Sequence, residues 1–294
     1  PGGVNWPVNN LGTLAGVYTT PAIHVDVTGV FTNTNSTRPY RGAGRPEAAY
    51  VIERLIDLAA DELGIDPTEL RRRNTIPPDA MPFKTGLTFT YDCGEFEKNM
   101  DMALEMADYA NFESRREQAR SRGRLRGIGI SNTIERAAAR GVEGAEIRFD
   151  RTGTATILSG SVTQGQGHET VYKQLVCDRF GLEPDEVHYV WGDTDKVPYG
   201  HGTGGSRSAT LGGSALHLAA NKIVDKAKRI AAHMFGAADE DIEFEEGIFT
   251  VTGTDRNVTM KEVARAANKI DSLPDGMEPG LIASAVYTAQ VMNF

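Results

Sequence analysis

The chain has 294 residues, of which 40% are hydrophobic and 24% charged, a balance typical of a globular protein with two domains or one large domain. Its formal charge of −9 argues against a general affinity for nucleic acid or anionic membranes, because both require a basic surface. The two cysteines are too few for a disulfide framework and favour a reducing, cytoplasmic setting, and no apolar run is long enough to predict membrane insertion.

The first part of the chain predicts strands and then a long amphipathic helix. Residues 15–32 mix β-branched and aromatic residues with polar ones, which favours two strands. From Pro46 to Leu63, apolar residues recur at steps of three and four, which predicts a helix that Gly64 ends.

Further helices are predicted from capping signals and composition. Asp66 and Glu69 have the spacing of a capping box at the start of one helix, and Asp92 with Glu95 repeats that spacing before the next. The segment 114–127 is rich in arginine and predicts a basic helix on the surface.

The character of the chain changes near Gly123, where we place a boundary between residues 1–123 and residues 124–294. Beyond it, the pattern predicts strands at 125–135, 143–149 and 154–159.

The rest of the second part mixes hairpins with helices. The elements predicted are a helix from His168, a strand at 185–193, a long helix over 208–235 that Gly236 ends, short strands on both sides of Gly247, a helix capped by Thr259 and Glu262, and a strand within 282–294. This order does not repeat β-α-β units, so we predict an α+β fold with two mixed subdomains.

Three glycine-rich segments each lead directly into a predicted helix: RPYRGAGRP, TQGQGHET and YGHGTGGSRSA. A helix N-terminus offers free backbone N–H groups and a partial positive charge, and glycine lets a ligand approach the backbone closely. Any one such segment is more often an ordinary turn. Three of them in one chain favour a large ligand with several negative charges.

The sequence does not predict either of two common nucleotide-binding motifs. Gly200, Gly202 and Gly205 have the dinucleotide-binding spacing, but they do not directly follow a strand and no β-α-β unit is predicted around them. The lysine pattern of a phosphate-binding P-loop is absent from the sequence. The histidines lack metal-ligand spacing, so no metal site made of protein ligands is predicted.

Several side chains in these segments have a structural interpretation beside a ligand-binding one. Ser208 could bind a ligand or cap the long helix, and His168 could bind a ligand or simply begin its helix. Arg41 and Arg45 could bind a carboxylate or a phosphate, while pairing with Glu47 is the alternative for Arg45.

Taken together and in this order, the segments resemble the molybdenum-cofactor-binding region of the xanthine dehydrogenase and aldehyde oxidase family. The chain is most similar to the large subunits of aerobic carbon monoxide dehydrogenase-like proteins, through VFTNTNSTRPYRGAGRPEAAYVIERLIDLAADELGIDPTELRRRN, SGSVTQGQGHETVYKQLVCDRFG and GTGGSRSATLGGSA. The resemblance implies a molybdenum hydroxylase that binds molybdopterin cytosine dinucleotide and oxidises an aldehyde or an N-heterocycle. It also implies an iron–sulfur subunit and an FAD subunit, or equivalent domains, as partners that accept the electrons.

The resemblance assigns roles to individual residues. Arg41 matches the arginine beside the molybdenum centre, and Gln166 matches the glutamine that hydrogen-bonds the pterin. The cofactor-binding residues implied in this way are Arg41, Gly42, Gly165, Gln166, Gly167, His168, Thr203, Gly205, Ser206 and Ser208.

The sequence departs from the family pattern at several positions, and these departures limit which properties of the family can be expected here. Gly42 stands where copper-dependent carbon monoxide dehydrogenases have a cysteine, and without that thiolate copper(I) has no soft ligand. Ala43 replaces the bulky phenylalanine of xanthine dehydrogenases, which predicts a differently shaped pocket. The family's catalytic glutamate is expected beyond Phe294, so we expect an internal fragment that lacks bound cofactor and is inactive alone.

Two alternatives stay open at the level of sequence. One is a module that binds the cofactor, or assists assembly, without catalysing a reaction. The other is an unrelated α+β protein whose three glycine-rich segments bind a different nucleotide.

Overall fold

A computed structural model of the chain describes residues 11–35, 40–135, 141–197 and 199–289. The chain divides into two compact units, residues 1–136 with 293–294, and residues 137–292. The boundary predicted at Gly123 lies within the first of these units.

The first unit is mainly helical. Its elements are a short 3₁₀ turn at Leu11–Ala15, α1 (Arg45–Leu63), α2 (Pro67–Asn74), β1 (Phe83–Lys84), β2 (Thr90–Tyr91), α3 (Phe96–Met106) and α4 (Phe112–Ser121). Gly64 ends α1 in the left-handed conformation, and its N–H donates to the carbonyls of Ala60 and Asp61, as the sequence predicts.

Several predictions for this unit are wrong in detail. Within 15–32 the described backbone forms no strand but only an isolated bridge of Tyr18 with Thr75, flanked by hydrogen bonds of Val17 and Thr19 to the same segment, and residues 20–35 lie in no sheet. Asp66 does cap α2, but Glu69 does not close the capping box, because its carboxylate pairs with Arg73 instead. Glu95 stands at the N-cap of α3 without a side-chain capping bond.

A buried ionic cluster holds α1 against α2. Arg71 is fully buried, and its Nε lies 2.8 Å from Oε2 of Glu53 and its Nη2 2.9 Å from Oδ1 of Asp57. The Tyr18 hydroxyl donates to Oε1 of Glu53 over 2.6 Å. Removing one member would leave a buried charge without compensation, so the cluster fixes how these elements pack.

The second unit contains two sheets and three helices among its described residues. Its elements are β3 (Gly141–Phe149), β4 (Ala155–Ser159), α5 (His168–Phe180), β5 (Val187–Trp191), a π-helical turn (Ser208–Gly212), α6 (Gly213–Phe235), β6 (Ile242–Glu245), β7 (Ile248–Val251), β8 (Asn257–Thr259), α7 (Met260–Ala266) and β9 (Leu281–Ala289). The larger sheet has the order β5-β4-β3-β9, and the smaller has the order β6-β7-β8.

The sheet contains a β-α-β unit that the sequence pattern did not predict. β4 and β5 are parallel and α5 connects them, so one β-α-β crossover does lie before the segment Gly200–Gly205. The antiparallel pairs β3–β4 and β3–β9 complete the sheet, so the α+β prediction is confirmed. The predicted strand at 125–135 is wrong, because these residues have no regular structure.

The core of the second unit lies between α6 and the larger sheet. α6 contacts both β3 and β9, and its buried side chains include Leu216, Ile223 and Ile230. Lys226 on α6 donates to the carbonyl of Gly280 just before β9. Thr259 and Glu262 form the predicted capping box at the start of α7. These contacts of α6 hold the larger sheet in place. The two glycine-rich segments of this unit follow β4 and β5 of that sheet.

Candidate functional site

Two glycine-rich loops of the second unit touch each other. We call residues 160–167, between β4 and α5, the second loop, and residues 199–207, before the π-helical turn, the third loop. A Cβ atom built on Gly160 would lie under 3.0 Å from Gly200 Cα, so neither position tolerates a side chain without a backbone shift. The Thr203 hydroxyl donates to the carbonyl of Val162 over 2.5 Å. The two loops therefore form one continuous surface.

Tyr172 of α5 joins the helix starts behind the two loops. Its buried hydroxyl donates to the carbonyl of Ser208 over 2.7 Å and lies 3.3 Å from the Ser161 hydroxyl. Burial raises the pKa of Tyr172, so the hydroxyl stays protonated as a donor at neutral pH. A Cβ at Gly212 would collide with this hydroxyl, which explains why glycine occupies that position.

The second loop presents the start of α5 without a side-chain cap. Gly167 is the N-cap residue in the left-handed conformation, with φ of 76°, and no side chain caps the first turn. The first N–H groups of α5 consequently lack partners within the helix. Gln166, predicted to bind a pterin, accepts a 2.5 Å hydrogen bond through Oε1 from the N–H of Gln164.

His168 begins α5 as predicted, but it also carries an unused polar atom. The residue is 7% exposed and stacks on Tyr172 with ring centroids 6.0 Å apart. Its Nδ1 is buried and has no hydrogen-bond partner among the described residues. Burial lowers the pKa of His168, which favours the neutral ring. A neutral imidazole with an unused nitrogen suits a hydrogen bond to a ligand.

The third loop brings the hydroxyl of Thr203 close to that of Ser208, at the start of the π-helical turn. Thr203 Oγ1 lies 3.5 Å from Ser208 Oγ, and Ser208 is buried. Ser206 has φ of 54°, in the left-handed region that residues other than glycine rarely adopt. The alternative prediction, that Ser208 caps the long helix, is wrong. Ser208 is the first residue of the π-helical turn, and no side chain caps that turn or α6.

The third loop is also held by a residue that sequence reasoning missed. Arg207 Nε lies 3.0 Å from Oε1 of Glu143, whose side chain is only 1% exposed. Glu143 belongs to β3 and lies outside every glycine-rich segment. A charged residue on the apolar face of a predicted strand was the available signal.

The first glycine-rich loop, residues 40–44, lies in the first unit. Gly42, Ala43 and Gly44 all have positive φ, at 94°, 39° and 96°, and the Ala43 N–H donates to the Tyr40 carbonyl over 2.6 Å. A Cβ at Gly42 would lie 2.9 Å from Cδ of Pro46. Arg41 is exposed and makes no hydrogen bond or ion pair within the described part of the chain.

Arg45 holds this first loop instead of pairing with Glu47. Its Nε lies 3.0 Å from Oε2 of Glu135, and its Nη1 donates to the carbonyl of Gly42 over 3.2 Å. The side chain of Arg45 is only 14% exposed. Of the two arginines around the turn, Arg41 is therefore the one that has no partner among the described residues and can meet a ligand.

Within the described residues, no group of three or more His, Cys, Asp or Glu side chains is placed to hold a metal ion. None of the described helices is both long and apolar enough to cross a bilayer.

Comparison with known proteins identifies the class that these loops belong to. The family described as molybdopterin cofactor-binding domain matches the chain twice, with its first domain over residues 3–75 and its second over residues 102–293. The chain belongs to the molybdopterin-cofactor-binding domains of the xanthine dehydrogenase family.

Individual relatives place it more narrowly. The chain is 37% identical over 309 residues to the carbon monoxide dehydrogenase large chain of Afipia carboxidovorans, covering 98% of this chain and 38% of the relative. It is 35% identical over 288 residues to the 6-hydroxypseudooxynicotine dehydrogenase complex subunit gamma of Paenarthrobacter nicotinovorans, covering 96% and 36%. The crystal structure of quinoline 2-oxidoreductase from Pseudomonas putida 86 matches with a TM-score of 0.84 and 32% identity, over 98% of this chain and 38% of that one.

These relatives confirm the predicted family and the similarity to large subunits of molybdenum oxidoreductases. The alternative of an unrelated α+β protein is therefore wrong. The chain spans less than two fifths of the length of each relative.

Proposed function

We propose that this chain is the cofactor-binding part of a molybdenum hydroxylase large subunit and that it binds molybdopterin cytosine dinucleotide. The observation that carries the proposal is the joined surface of the second and third loops. It combines an uncapped helix N-terminus with grouped hydroxyls, which together suit a long anionic ligand.

The residues present fit such a cofactor. The buried, unpartnered Nδ1 of His168 is a polar atom that a ligand could satisfy, and burial keeps the imidazole neutral. The residues that would hold the cofactor in this unit are Gly165, Gln166, Gly167, His168, Thr203, Gly205, Ser206 and Ser208. When bound, the cofactor supplies the molybdenum centre at which substrate is hydroxylated and electrons are accepted.

Each part of the chain would contribute a distinct task. The N–H groups at the start of α5 would bind phosphate oxygens, and the Ser208 hydroxyl would donate a hydrogen bond to a polar atom of the pterin or a phosphate. Thr203 Oγ1, which donates to the Val162 carbonyl, would accept a hydrogen bond from the ligand. Gln166 would exchange its bond with the Gln164 N–H for one with the ligand. Arg41 would supply an exposed positive charge from the first loop.

The first loop supports an aldehyde or an N-heterocycle as the substrate, and not carbon monoxide. Gly42 offers no thiolate for copper(I), and its backbone conformation leaves no room for a Cβ. Quinoline 2-oxidoreductase, whose structure matches 98% of the present chain, is named for an N-heterocycle.

We also propose the setting in which the site works. The chain covers 36% and 38% of the length of two relatives, which supports a longer polypeptide as the working enzyme, with its general-base glutamate outside the residues described here. An iron–sulfur subunit and an FAD subunit, or equivalent domains, would accept the electrons in the cytoplasm. The 294-residue chain alone should then show no hydroxylase turnover with any aldehyde or purine, and measurable molybdenum-dependent oxidation by it would contradict this.

The second candidate is a cofactor-binding or assembly module without catalytic activity. The same residues of the second and third loops, which we call the cofactor cradle, would favour it. Such a module would differ from the enzyme only in residues outside this chain. A G-x-G-E segment in the natural polypeptide downstream of residue 294 would support the enzyme, and its absence would support the module.

The cofactor itself is tested by release and mass spectrometry. The full-length polypeptide is expressed in a molybdenum-replete host, and the nucleotide released on denaturation is identified. Cytidine linked to pterin is expected, and another nucleotide would overturn the proposal. Gln166→Ala should reduce the cofactor content, while the matched change Gln174→Ala, on α5 away from the second loop, should leave it unchanged.

A further inference from the structure

The face of β3 that packs on the core is apolar except at one position. Alternation along the strand places residues 143, 145, 147 and 149 on the same face. Ala145, Ile147 and Phe149 are buried in the hydrophobic core, whereas the fourth position is Glu143. A carboxylate in that place loses its hydration, which is costly unless a partner compensates for it.

The partner of Glu143 comes from the third loop. Arg207 Nε lies 3.0 Å from Glu143 Oε1, and Nη2 of the same guanidinium donates to the His201 carbonyl over 2.9 Å. One side chain thus connects the end of the third loop both to the strand and to the loop's own beginning. The loop is closed on itself and fastened to β3.

The environment of this pair argues for a positioning role over a stabilising one. Burial raises the pKa of Glu143, and Arg207 acts in the opposite direction. A buried ion pair of this kind adds little net stability, but it can select one arrangement among several. β3 also contacts the π-helical turn that begins with Ser208, directly after Arg207, so the strand holds the end of the third loop through two successive contacts.

We propose that Glu143 is a positioning residue for the cofactor cradle. Together with Arg207 it holds residues 201–207 in the arrangement that brings the Thr203 and Ser208 hydroxyls together. Arg207 is therefore engaged with the protein and does not serve as the cation for the ligand's phosphates. The link to the cofactor rests on the proposed function, whereas the ordering of the loop does not.

Hydrogen exchange tests the ordering of the loop directly. Exchange is measured by mass spectrometry in the full-length polypeptide isolated without cofactor, comparing wild type with Glu143→Gln. The matched control is Glu146→Gln, on the same strand, whose carboxylate pairs with Arg148 instead. Glu143→Gln should speed exchange in 199–208 by about tenfold or more, with α6 and β4 unchanged, and the control should match wild type.

Two results would overturn the positioning role. One is unchanged exchange in 199–208 for Glu143→Gln with intact secondary structure. The other is an equal increase throughout the second unit, which would mark Glu143 as a general structural residue. Glu143→Asp, which keeps the charge, should restore part of the protection, and failure of this rescue would count against the ion pair.

Cofactor content separates this inference from the proposed function. If cytidine-pterin is found in wild type and is reduced several-fold in Glu143→Gln but not in Glu146→Gln, the link to the cradle is supported. If the loop loosens while cofactor content stays at the wild-type level, the link is overturned. If wild type yields another nucleotide, the proposed function fails, while the exchange result still decides the role of Glu143 in the loop.

Discussion

Gly160 and Gly200 approach each other so closely that a Cβ on either one would lie under 3.0 Å from the other's backbone. Gly200→Ala should therefore force the second and third loops apart and destabilise the second unit by about 1–3 kcal/mol, as overpacking generally does. Urea unfolding followed by circular dichroism measures the change.

The matched control for this change is Gly204→Ala in the same loop, where an added Cβ meets no atom within 4 Å. It should alter the free energy of unfolding by less than about 0.5 kcal/mol. Equal effects of the two substitutions would show that the loops do not touch in solution.

Tyr172→Phe removes the hydroxyl that donates to the Ser208 carbonyl over 2.7 Å. It should cost about 1–2 kcal/mol, because a buried carbonyl loses its donor, and it should speed hydrogen exchange at residues 208–212. Tyr189→Phe is the control, since that hydroxyl donates to the Ser161 carbonyl and not to the π-helical turn. Faster exchange at 208–212 in both variants would contradict a specific role for Tyr172.

Asp66→Ala should destabilise the first unit by about 1 kcal/mol at neutral pH, because α2 loses its N-cap. Burial acts to raise the pKa of Asp66, but hydrogen bonds from Thr68, Glu69 and Tyr109 hold it below its ordinary value of 3.8. The ionised cap thus contributes stability above pH 3.8, and that contribution is lost as the pH falls through the lower, folded-state pKa.

The penalty of Asp66→Ala should accordingly shrink in acid. Asp66→Asn provides the control, because an asparagine keeps a capping oxygen but does not titrate. Its difference from Asp66→Ala should stay constant with pH, as measured by denaturant titrations on both sides of pH 3.8. A penalty for Asp66→Ala that does not depend on pH would contradict the assigned pKa shift.

Glu53→Ala should destabilise the first unit by about 3–5 kcal/mol, because the fully buried Arg71 loses its closest carboxylate partner. Glu62→Ala on the same helix is exposed and should have an effect below about 0.5 kcal/mol. The double change Glu53→Met with Arg71→Met should cost less than Glu53→Ala, since it leaves no unpaired buried charge. Thermal unfolding of all three variants would decide between a charge effect and lost volume.

The helices were largely predictable from sequence because their signals are local. The apolar periodicity and Gly64 define α1, and Thr259 with Glu262 define the start of α7. Strands depend on distant partners, and for that reason residues 15–32 were predicted as strands although the described backbone offers them only the isolated bridge at Tyr18.

The candidate site was also predictable only in its local features. The glycine-rich loops are visible in the sequence, and the family resemblance they carry is confirmed by the comparisons. The contacts that hold the loops in place join residues far apart in the chain, such as Tyr172 with Ser208 and Glu143 with Arg207. No spacing rule predicts such pairs, because the sheet brings them together.

The turn at Gly42 limits what a substitution at this position could achieve. Its anchor is a bond from Arg45 to a backbone carbonyl, which any residue would supply, but its φ of 94° and the nearby Pro46 ring exclude a side chain. Exchanging glycine for cysteine would therefore not create a copper ligand by itself. An evolutionary or engineered route to carbon monoxide chemistry would have to rebuild the turn before the thiol could be useful.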